Sequence, residues 1–432
     1  MGAAACGGSG DESGSAAGTG AFTGVVGGSG GDASGGSAPT GGVASTGGTG
    51  TGGTVGVGGG DGGTGGVGGG SGGDLGTGGT GGSDGSGGEN GSGGAGDTGG
   101  SGGTDPGPDC TGKIAQKQTL VSGIYTADPS GHVFDGKLYV YPSHDIPTNI
   151  PESNDGAQFA MEDYHVLSLD TATCSWVDEG EVLHLDDVPW AKKQLWAPDA
   201  VKRGSTYYLV FPARDSNDIF RIGVATSTSP TGPFTARSQP IPGAYSIDPT
   251  VFVDDDDQMY LYVGGLWGGQ LEKWRTGTFN SGGTEPTGSS PALGPRVAKL
   301  NADLTALEGS LQEISIRDQN GSAITASDEN RRFFEGAWIH KYQGTYYLSY
   351  STGTTHYIAY ATGTSPLGPF TYRGRILQPP SGWTTHHSIV EYRGTWYLFY
   401  HDTQASGQTH LRNVKVQVLT HAADGSIATL TP

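Results

Sequence analysis

Five copies of one short strand pattern constrain the fold of this 432-residue chain more than any other feature. Each copy has a Gly or another turn residue followed by alternating aromatic and aliphatic residues, as in GTYYLSY and GTWYLFY. The copies lie at residues 138–141 and around Tyr208, Tyr260, Tyr347 and Tyr397. Each follows another strand-like run after a short polar turn, which is the pattern of a β-hairpin. The sequence therefore predicts five similar hairpins.

The hairpins predict an all-β fold with five repeated units. Helical periodicity is almost absent, and short strands with Gly/Pro turns are typical of a sandwich, a barrel or a propeller. Further strands follow two hairpins at IGVATSTSPTGPFTA and IAYATGTSPLGPFTY, where the shared SPxGPFT indicates outer strands. Internal repetition favours a five-bladed β-propeller, and a sandwich with similar hairpins is the alternative.

Composition divides the chain into two unequal parts. Residues 1–109 are mostly Gly, Ser, Thr, Ala and Asp, and their few apolar side chains cannot offset the entropy cost of folding. We expect this part to be a disordered tether, because its irregular runs lack the strict repeat of a glycine-rich rod. Residues 110–432 have the size of one propeller domain, and we expect the function there.

Charge and hydropathy exclude some partners. The formal net charge of −20 argues against nucleic acid and anionic membrane surfaces, which both need clustered Lys and Arg. No run of about 20 apolar residues is present to span a membrane. A neutral carbohydrate fits this balance, and we expect a monomer.

The three cysteines are Cys6, Cys110 and Cys174. Cys110 and Cys174 either form one disulfide in an oxidising compartment or remain two free thiols. Cys6 lies in AAACGG, which resembles a bacterial lipoprotein processing site. The basic and apolar segments of a signal peptide are missing before it, so either the start is truncated or the resemblance is accidental. We expect an extracellular or surface-anchored protein.

An ionisable group precedes or opens every predicted hairpin. In chain order these groups are Asp128, Asp199, Asp248, Glu335 and His386. Equivalent positions of a propeller meet around its central channel, so these side chains should lie close together. Taken singly, an Asp before Pro is commonly a turn residue and a lone Glu is usually solvated. Several buried carboxylates in one place are costly, and such clustering favours a functional site.

The folded region resembles glycoside hydrolase family 43, whose members are five-bladed arabinofuranosidases, xylosidases and arabinanases. The resemblance implies that Asp128 is the base and Glu335 the acid of an inverting reaction, and that Asp248 orients Glu335. It also implies that Arg412, in RNVKV, contacts substrate. One departure from the family pattern is Ala337, where the family has Pro after Glu-Gly.

The resemblance requires no cofactor but implies a role for His386. In the family, a His in this segment often helps to bind a cation in the central channel, which here would be a structural Ca²⁺. A His at this place can instead simply donate a hydrogen bond to a carboxylate. Both interpretations stay open at this point.

Three tryptophans lie near these motifs in the sequence. Trp196, Trp267 and Trp338 can either form apolar walls for sugar rings or pack in the core. With Asp199, we take them as candidate substrate-binding residues. Insertions at residues 147–163 and 276–296 are long enough to close one end of a cavity.

The favoured function is an exo-acting hydrolase that releases terminal α-L-arabinofuranosyl or β-D-xylosyl units from a plant-type polysaccharide or oligosaccharide. Inversion requires that the carboxyls of Asp128 and Glu335 lie roughly 6.5–9.5 Å apart, with room for a water molecule. An endo-arabinanase or a galactan-cleaving enzyme on the same scaffold is one alternative. A non-catalytic carbohydrate-binding propeller is the other, although the intact carboxylates argue against it.

Overall fold

Twenty strands form five sheets in residues 108–432, which are the residues that the computed structural model describes. The five sheets are arranged as the blades of a β-propeller, so the predicted fold class is confirmed. The expectations of a tether at residues 1–109 and of lipidation at Cys6 fall almost wholly outside the described residues. No helix in residues 108–432 is both long and apolar enough to cross a membrane.

Each sheet is built from strands that follow one another along the chain. The first contains β1 (Tyr125–Phe134), β2 (Lys137–Asp145), β3 (Asp163–Asp170) and β4 (Ser175–His184). The second contains β5 (Asp199–Arg203), β6 (Thr206–Arg214), β7 (Phe220–Ser227) and β8 (Thr235–Ala236). The third contains β9 (Thr250–Val253), β10 (Met259–Val263), β11 (Arg296–Leu300) and β12 (Leu307–Glu313).

The last two sheets differ in their number of strands. The fourth contains β13 (Ile316–Arg317), β14 (Phe333–Tyr342), β15 (Thr345–Thr352), β16 (Ile358–Gly363) and β17 (Phe370–Leu377). The fifth contains β18 (His387–Tyr392), β19 (Thr395–Asp402) and β20 (Asn413–Leu419). Three short 3-10 helices lie at Leu185–Asp187, Trp267–Gly269 and Leu271–Trp274.

The repeated aromatic and aliphatic residues form the second strand of each hairpin, where both faces are buried. These strands are β2, β6, β10, β15 and β19. In β2, Leu138 and Val140 pack with residues of the fifth sheet. Tyr139 and Tyr141, which alternate with them, pack with residues of the second sheet. Successive side chains of a strand point to opposite faces of its sheet. A strand whose sheet packs against a neighbouring blade on each face therefore needs apolar side chains on both faces. This explains the unbroken apolar runs in the sequence.

The first strand of each hairpin lies innermost. The strands β1, β5, β9, β14 and β18 contact one another in turn, and β18 contacts β1. The chain segment before β1 extends the fifth sheet, because the N–H groups of Lys117 and Leu120 donate to the carbonyls of Val416 and Val414. Cys110 and Cys174 form a disulfide that links this segment to the first sheet.

Candidate active site

A cavity that opens to solvent, with about 600 Å³ of empty space including part of that solvent, lies where the inner strands begin. The carboxylates of Asp128, Asp248 and Glu335 all line it, although they come from three different blades. The structure thus brings together the three carboxylates that the sequence places at equivalent positions.

The backbone aims two of these carboxylates into the cavity through an unusual conformation. Asp128 has φ 48° and Asp248 has φ 54°, and each is followed by a proline. The left-handed region is disfavoured for residues other than Gly, and the residue before Pro is normally extended. The pairing of β1 with β2 also shifts register between Ala127 and Ser130. Such irregularities redirect side chains and are typical of functional sites.

Asp128 is a buried carboxylate held by positive charge. Oδ1 accepts a hydrogen bond from Nη1 of Arg412 at 3.0 Å, and Oδ2 accepts one from Oγ of Ser143 at 2.8 Å. Burial raises the pKa of Asp128, but the charge of Arg412 and the hydrogen bond from Ser143 act against it, and the net effect is a pKa below its ordinary value. Asp128 is therefore ionised at neutral pH.

Glu335 is in the opposite electrostatic state. Burial, followed by the negative charge of Asp128, raises the pKa of Glu335 to about 8. Its side chain is only partly exposed, toward the cavity. Glu335 is therefore mostly protonated at neutral pH, and the same cavity holds one ionised and one protonated carboxyl group.

Asp248 holds the chain segment that carries Glu335. Its Oδ2 accepts a hydrogen bond from the N–H of Gly336 at 2.9 Å. Burial and the charge of Glu335 raise the pKa of Asp248 well above its ordinary value. The proton affinity of Asp248 therefore depends on whether Glu335 carries a charge.

Arg412 is fixed by a second carboxylate that sequence reasoning missed. Nη2 and Nε of Arg412 each donate to a different oxygen of Asp145 at 2.8 Å, and the backbone N–H of Arg412 donates to Asp145 as well. Asp145 is fully buried. The available signal was an Asp at the end of β2, four residues after Tyr141.

His401, also missed, orients Asp128 from the other side. Its Nδ1 accepts the backbone N–H of Asp128 at 3.0 Å, and its Nε2 lies 3.1 Å from the carbonyl oxygen of Thr384. Burial lowers the pKa of His401 to about 3, so the ring is neutral with its proton on Nε2.

His386 lines the cavity, whereas the adjacent His387 does not. His387 is fully buried and bonds Oγ of Ser349. Both ring nitrogens of His386 lack a hydrogen-bond partner among the described residues, and Nε2 lies 3.8 Å from Oδ2 of Asp248. Ca²⁺ prefers oxygen ligands, and Oδ2 already accepts from Gly336. A hydrated cation fits this donor set, but one bound by protein atoms alone does not.

Two of the three predicted tryptophans line the cavity. Trp196 lies at its wall and donates from Nε1 to the carbonyl of Phe159 at 2.8 Å. Trp267 donates from Nε1 to Glu285 and stacks on Trp383 with ring centroids 5.8 Å apart. Trp383, which sequence reasoning missed, is partly exposed at the cavity edge. Together these rings provide flat apolar surfaces of the kind that bind sugar rings.

Trp338 and Asp199 lie away from the cavity, contrary to the substrate-binding role we predicted. Trp338 packs in the core and donates from Nε1 to the carbonyl of Ile389 at 3.0 Å. Of the two alternatives for this tryptophan, its position agrees with core packing. Asp199 is fully buried and accepts hydrogen bonds from His132 and from the N–H of Val251. It lies in the regular ladder between β5 and β6, with no bulge to turn its side chain outward.

The two predicted insertions contribute unequally to the cavity. The loop between β2 and β3 lines it with Ser153, Asn154, Gly156, Gln158, Phe159 and Met161. No residue of 276–296 lines it. This second insertion acts indirectly, because its Glu285 holds the ring of Trp267.

The chain is similar in sequence and in structure to known proteins. Residues 173–427 match the family described as Glycosyl hydrolases family 43. The chain is 56% identical over 323 residues to a protein named Xylosidase/arabinosidase 43A from Humicola insolens, which covers 72% of this chain and 99% of that one. It is 51% identical over 317 residues to a Xylosidase/arabinosidase from Bacteroides ovatus, covering 73% of this chain and 98% of that one.

One solved structure adds a bound sugar to this comparison. It is a GH43 β-xylosidase/α-arabinofuranosidase from a compost microbial metagenome, in complex with xylotriose and in a calcium-free form. It is 56% identical, with a TM-score of 0.72, and covers 74% of this chain and 98% of that one. From the propeller, its cavity and these similarities, we conclude that the chain belongs to glycosyl hydrolases family 43 and is a glycosidase.

Proposed function

We propose that this glycosidase removes terminal β-D-xylosyl or α-L-arabinofuranosyl units and inverts the configuration at the anomeric carbon. One observation carries the proposal. Asp128, held ionised by Arg412, and Glu335, held protonated by burial, line the same cavity. Hydrolysis of a glycosidic bond needs one carboxylic acid and one carboxylate in these two states.

In the proposed mechanism, Asp128 removes a proton from a water molecule that attacks the anomeric carbon. Glu335 donates its proton to the leaving oxygen as the glycosidic bond breaks. Asp248 positions Glu335 through the N–H of Gly336. Arg412 keeps Asp128 ionised. Asp145 in turn holds the guanidinium of Arg412 in place.

The form of the cavity and the relatives' names support terminal pentose release. The loop between β2 and β3 and the stacked rings of Trp267 and Trp383 surround the carboxylates, leaving space for a small sugar. The most similar of the relatives reported above are named xylosidase/arabinosidase.

We propose that His386 shares a hydrated cation, such as Ca²⁺, with Asp248. The unpartnered ring nitrogens of His386 and the 3.8 Å separation from Asp248 support this role. A bound cation would supply a fixed positive charge beside the carboxylates. We expect CaCl₂ to raise the Tm of the wild type but not that of His386→Ala, and an equal shift in both would exclude the site.

We propose that the protein is exported and acts as a monomer. The disulfide between Cys110 and Cys174 supports export, because such bonds persist in oxidising compartments. Fractionation of the native source should place the protein outside the cytoplasm with the disulfide formed, and sedimentation should give the mass of one chain. Cytoplasmic protein with free thiols would contradict the proposal.

The function is tested by assaying the full chain against nitrophenyl β-D-xyloside, α-L-arabinofuranoside and β-D-galactoside, and against xylotriose and linear arabinan. We expect release of single pentose units from the chain ends, and loss of this activity in Glu335→Ala with sugar binding retained. Internal cleavage of arabinan, or dominant galactoside cleavage, would support the alternative enzymes. Sugar binding without turnover by the wild type would indicate a binding protein.

A further inference from the structure

A cluster of two histidines and one aspartate lies on the first sheet, outside the cavity. In residues 108–432, His144, Asp163 and His165 are the one group of three or more His, Cys, Asp or Glu side chains whose ligand atoms all lie within 4.8 Å of one another. His144 is near the end of β2, and the other two residues lie on β3. None of the three contributes to the mechanism proposed above.

The geometry of the cluster is already organised. Nδ1 of His144 lies 2.6 Å from Oδ1 of Asp163, and Nε2 of His165 lies 3.7 Å from Oδ2 of the same carboxylate. The two imidazole rings have centroids 4.6 Å apart. The side chains are 13–17% exposed, so a small ion can reach them from solvent.

Asp178, on β4, orients His165. Its two oxygens lie 2.9 Å and 3.1 Å from Nδ1 of His165, which leaves Nε2 directed toward Asp163. The N–H of Gly180 in turn donates to Asp178 at 2.9 Å. A carboxylate that holds the far nitrogen of an imidazole is the usual outer partner of a metal-binding histidine.

We propose that His144, Asp163 and His165 bind a divalent transition-metal ion, with Zn²⁺ as the ion that best fits the donor set. Two imidazole nitrogens and one carboxylate oxygen suit Zn²⁺, whereas Ca²⁺ and Mg²⁺ prefer oxygen ligands alone. Three protein ligands leave the fourth position to water.

The position of the cluster gives the ion a structural consequence. His144 is the last residue but one of β2, and Asp163 is the first residue of β3. The two therefore flank the loop that lines the cavity with Phe159 and Met161. An ion bound to both residues holds the two ends of this loop together. Zn²⁺ therefore stabilises one wall of the active-site cavity without contacting substrate.

The test is calorimetric titration of ZnCl₂ into the metal-free full chain, without an affinity tag and with Cys6→Ser to remove the one cysteine outside the disulfide. We expect one saturable site. His144→Ala and His165→Ala should each weaken binding at least about 100-fold, and Asp178→Asn roughly 10–100-fold. The matched control His184→Ala should bind like the parent, because it removes a histidine of the same sheet that is not a ligand of the cluster.

Zn²⁺ should also slow proteolysis within residues 146–162 in the parent protein but not in His165→Ala. Visible absorption bands of bound Co²⁺ provide a second measurement that does not depend on a variant folding correctly. Binding that survives in His165→Ala, or the absence of saturable binding at Zn²⁺ concentrations up to roughly 1 mM, would overturn the proposal.

Discussion

Nη1 of Arg412 donates to Oδ1 of Asp128 across 3.0 Å, although the two residues are 284 positions apart in the chain. This contact influences the pKa values of both carboxyl groups in the proposed mechanism. The guanidinium lowers the pKa of Asp128, and the resulting carboxylate charge adds to burial in raising the pKa of Glu335 to about 8. Each carboxyl is thereby held in the protonation state that its role requires.

The pH profile should be bell-shaped. Activity needs ionised Asp128, so kcat/KM should fall only at pH values below the ordinary pKa of Asp, which is 3.8. Activity also needs protonated Glu335, so kcat/KM should fall as pH rises through about 8. The measurement is kcat/KM from pH 3 to 10, on the order of the full titration range of the two groups.

Arg412→Lys should move the acidic side of this profile. Lys keeps a positive charge but cannot bond Asp128 and Asp145 through one fixed fork. We expect the midpoint of the acidic limb to shift to higher pH by roughly 0.5–1 pH unit, while the midpoint of the alkaline limb shifts less. An unchanged acidic limb would mean that Arg412 does not set the protonation of Asp128.

Glu335→Gln should stabilise the fold at alkaline pH. The wild-type folded state retains a proton on Glu335 up to about pH 8, whereas the unfolded chain loses it near 4.5. The folded state therefore loses stability relative to the unfolded state as pH rises between these values. We expect the Tm of Glu335→Gln to exceed that of the wild type by a few degrees at pH 9 and by little at pH 4.

The control for this comparison is Glu391→Gln, which alters an exposed glutamate on β18. It should leave Tm unchanged at both pH values. A Tm difference between Glu335→Gln and the wild type that does not grow with pH would contradict the raised pKa of Glu335.

Gly336 should tolerate no side chain. Its φ is 66°, and a Cβ there would lie 3.0 Å from Cδ2 of His386. Gly336→Ala should therefore displace Glu335 and weaken the N–H bond to Asp248, lowering kcat by roughly 10-fold or more. Gly344→Ala is the matched control, because its φ is 76° but no atom lies within 4 Å of the added Cβ. Both variants should lose stability, and only the first should lose activity.

The anomer released first should be the inverted one. If the carboxyls of Asp128 and Glu335 are separated by roughly 6.5–9.5 Å, a water molecule fits between Asp128 and the sugar. Proton NMR of β-xyloside hydrolysis should then show α-xylose before mutarotation. Initial release of β-xylose would indicate a retaining mechanism.

Much of the fold was predictable because each blade repeats the same physical requirement. A strand packed between two sheets needs apolar side chains on both faces, and this produces a pattern that is readable within residues 138–141 alone. The equivalence of Asp128, Asp248 and Glu335 followed from the same repetition. Local sequence is sufficient for such features.

The remaining site residues depend on contacts between distant parts of the chain. Asp145 matters because Arg412, 267 residues later, meets it across the junction of the first and fifth blades. Asp199 shares its position along the blade with Asp128, but regular pairing with Val210 buries it instead. A bulge cannot be distinguished from a regular ladder by residue type, so the sequence alone does not reveal this difference between Asp199 and Asp128.

The division of roles between Glu335 and Asp128 is tested most directly by the dependence of kcat/KM on the leaving group. A leaving group such as 2,4-dinitrophenolate departs without a proton, whereas a sugar alkoxide needs one. Glu335→Ala should therefore lose less than roughly 10-fold on the dinitrophenyl glycoside but roughly 10²–10⁴-fold on the disaccharide. Asp128→Asn should lose a similar factor on both. An equal loss on both substrates for Glu335→Ala, or selective loss for Asp128→Asn, would contradict the assignment.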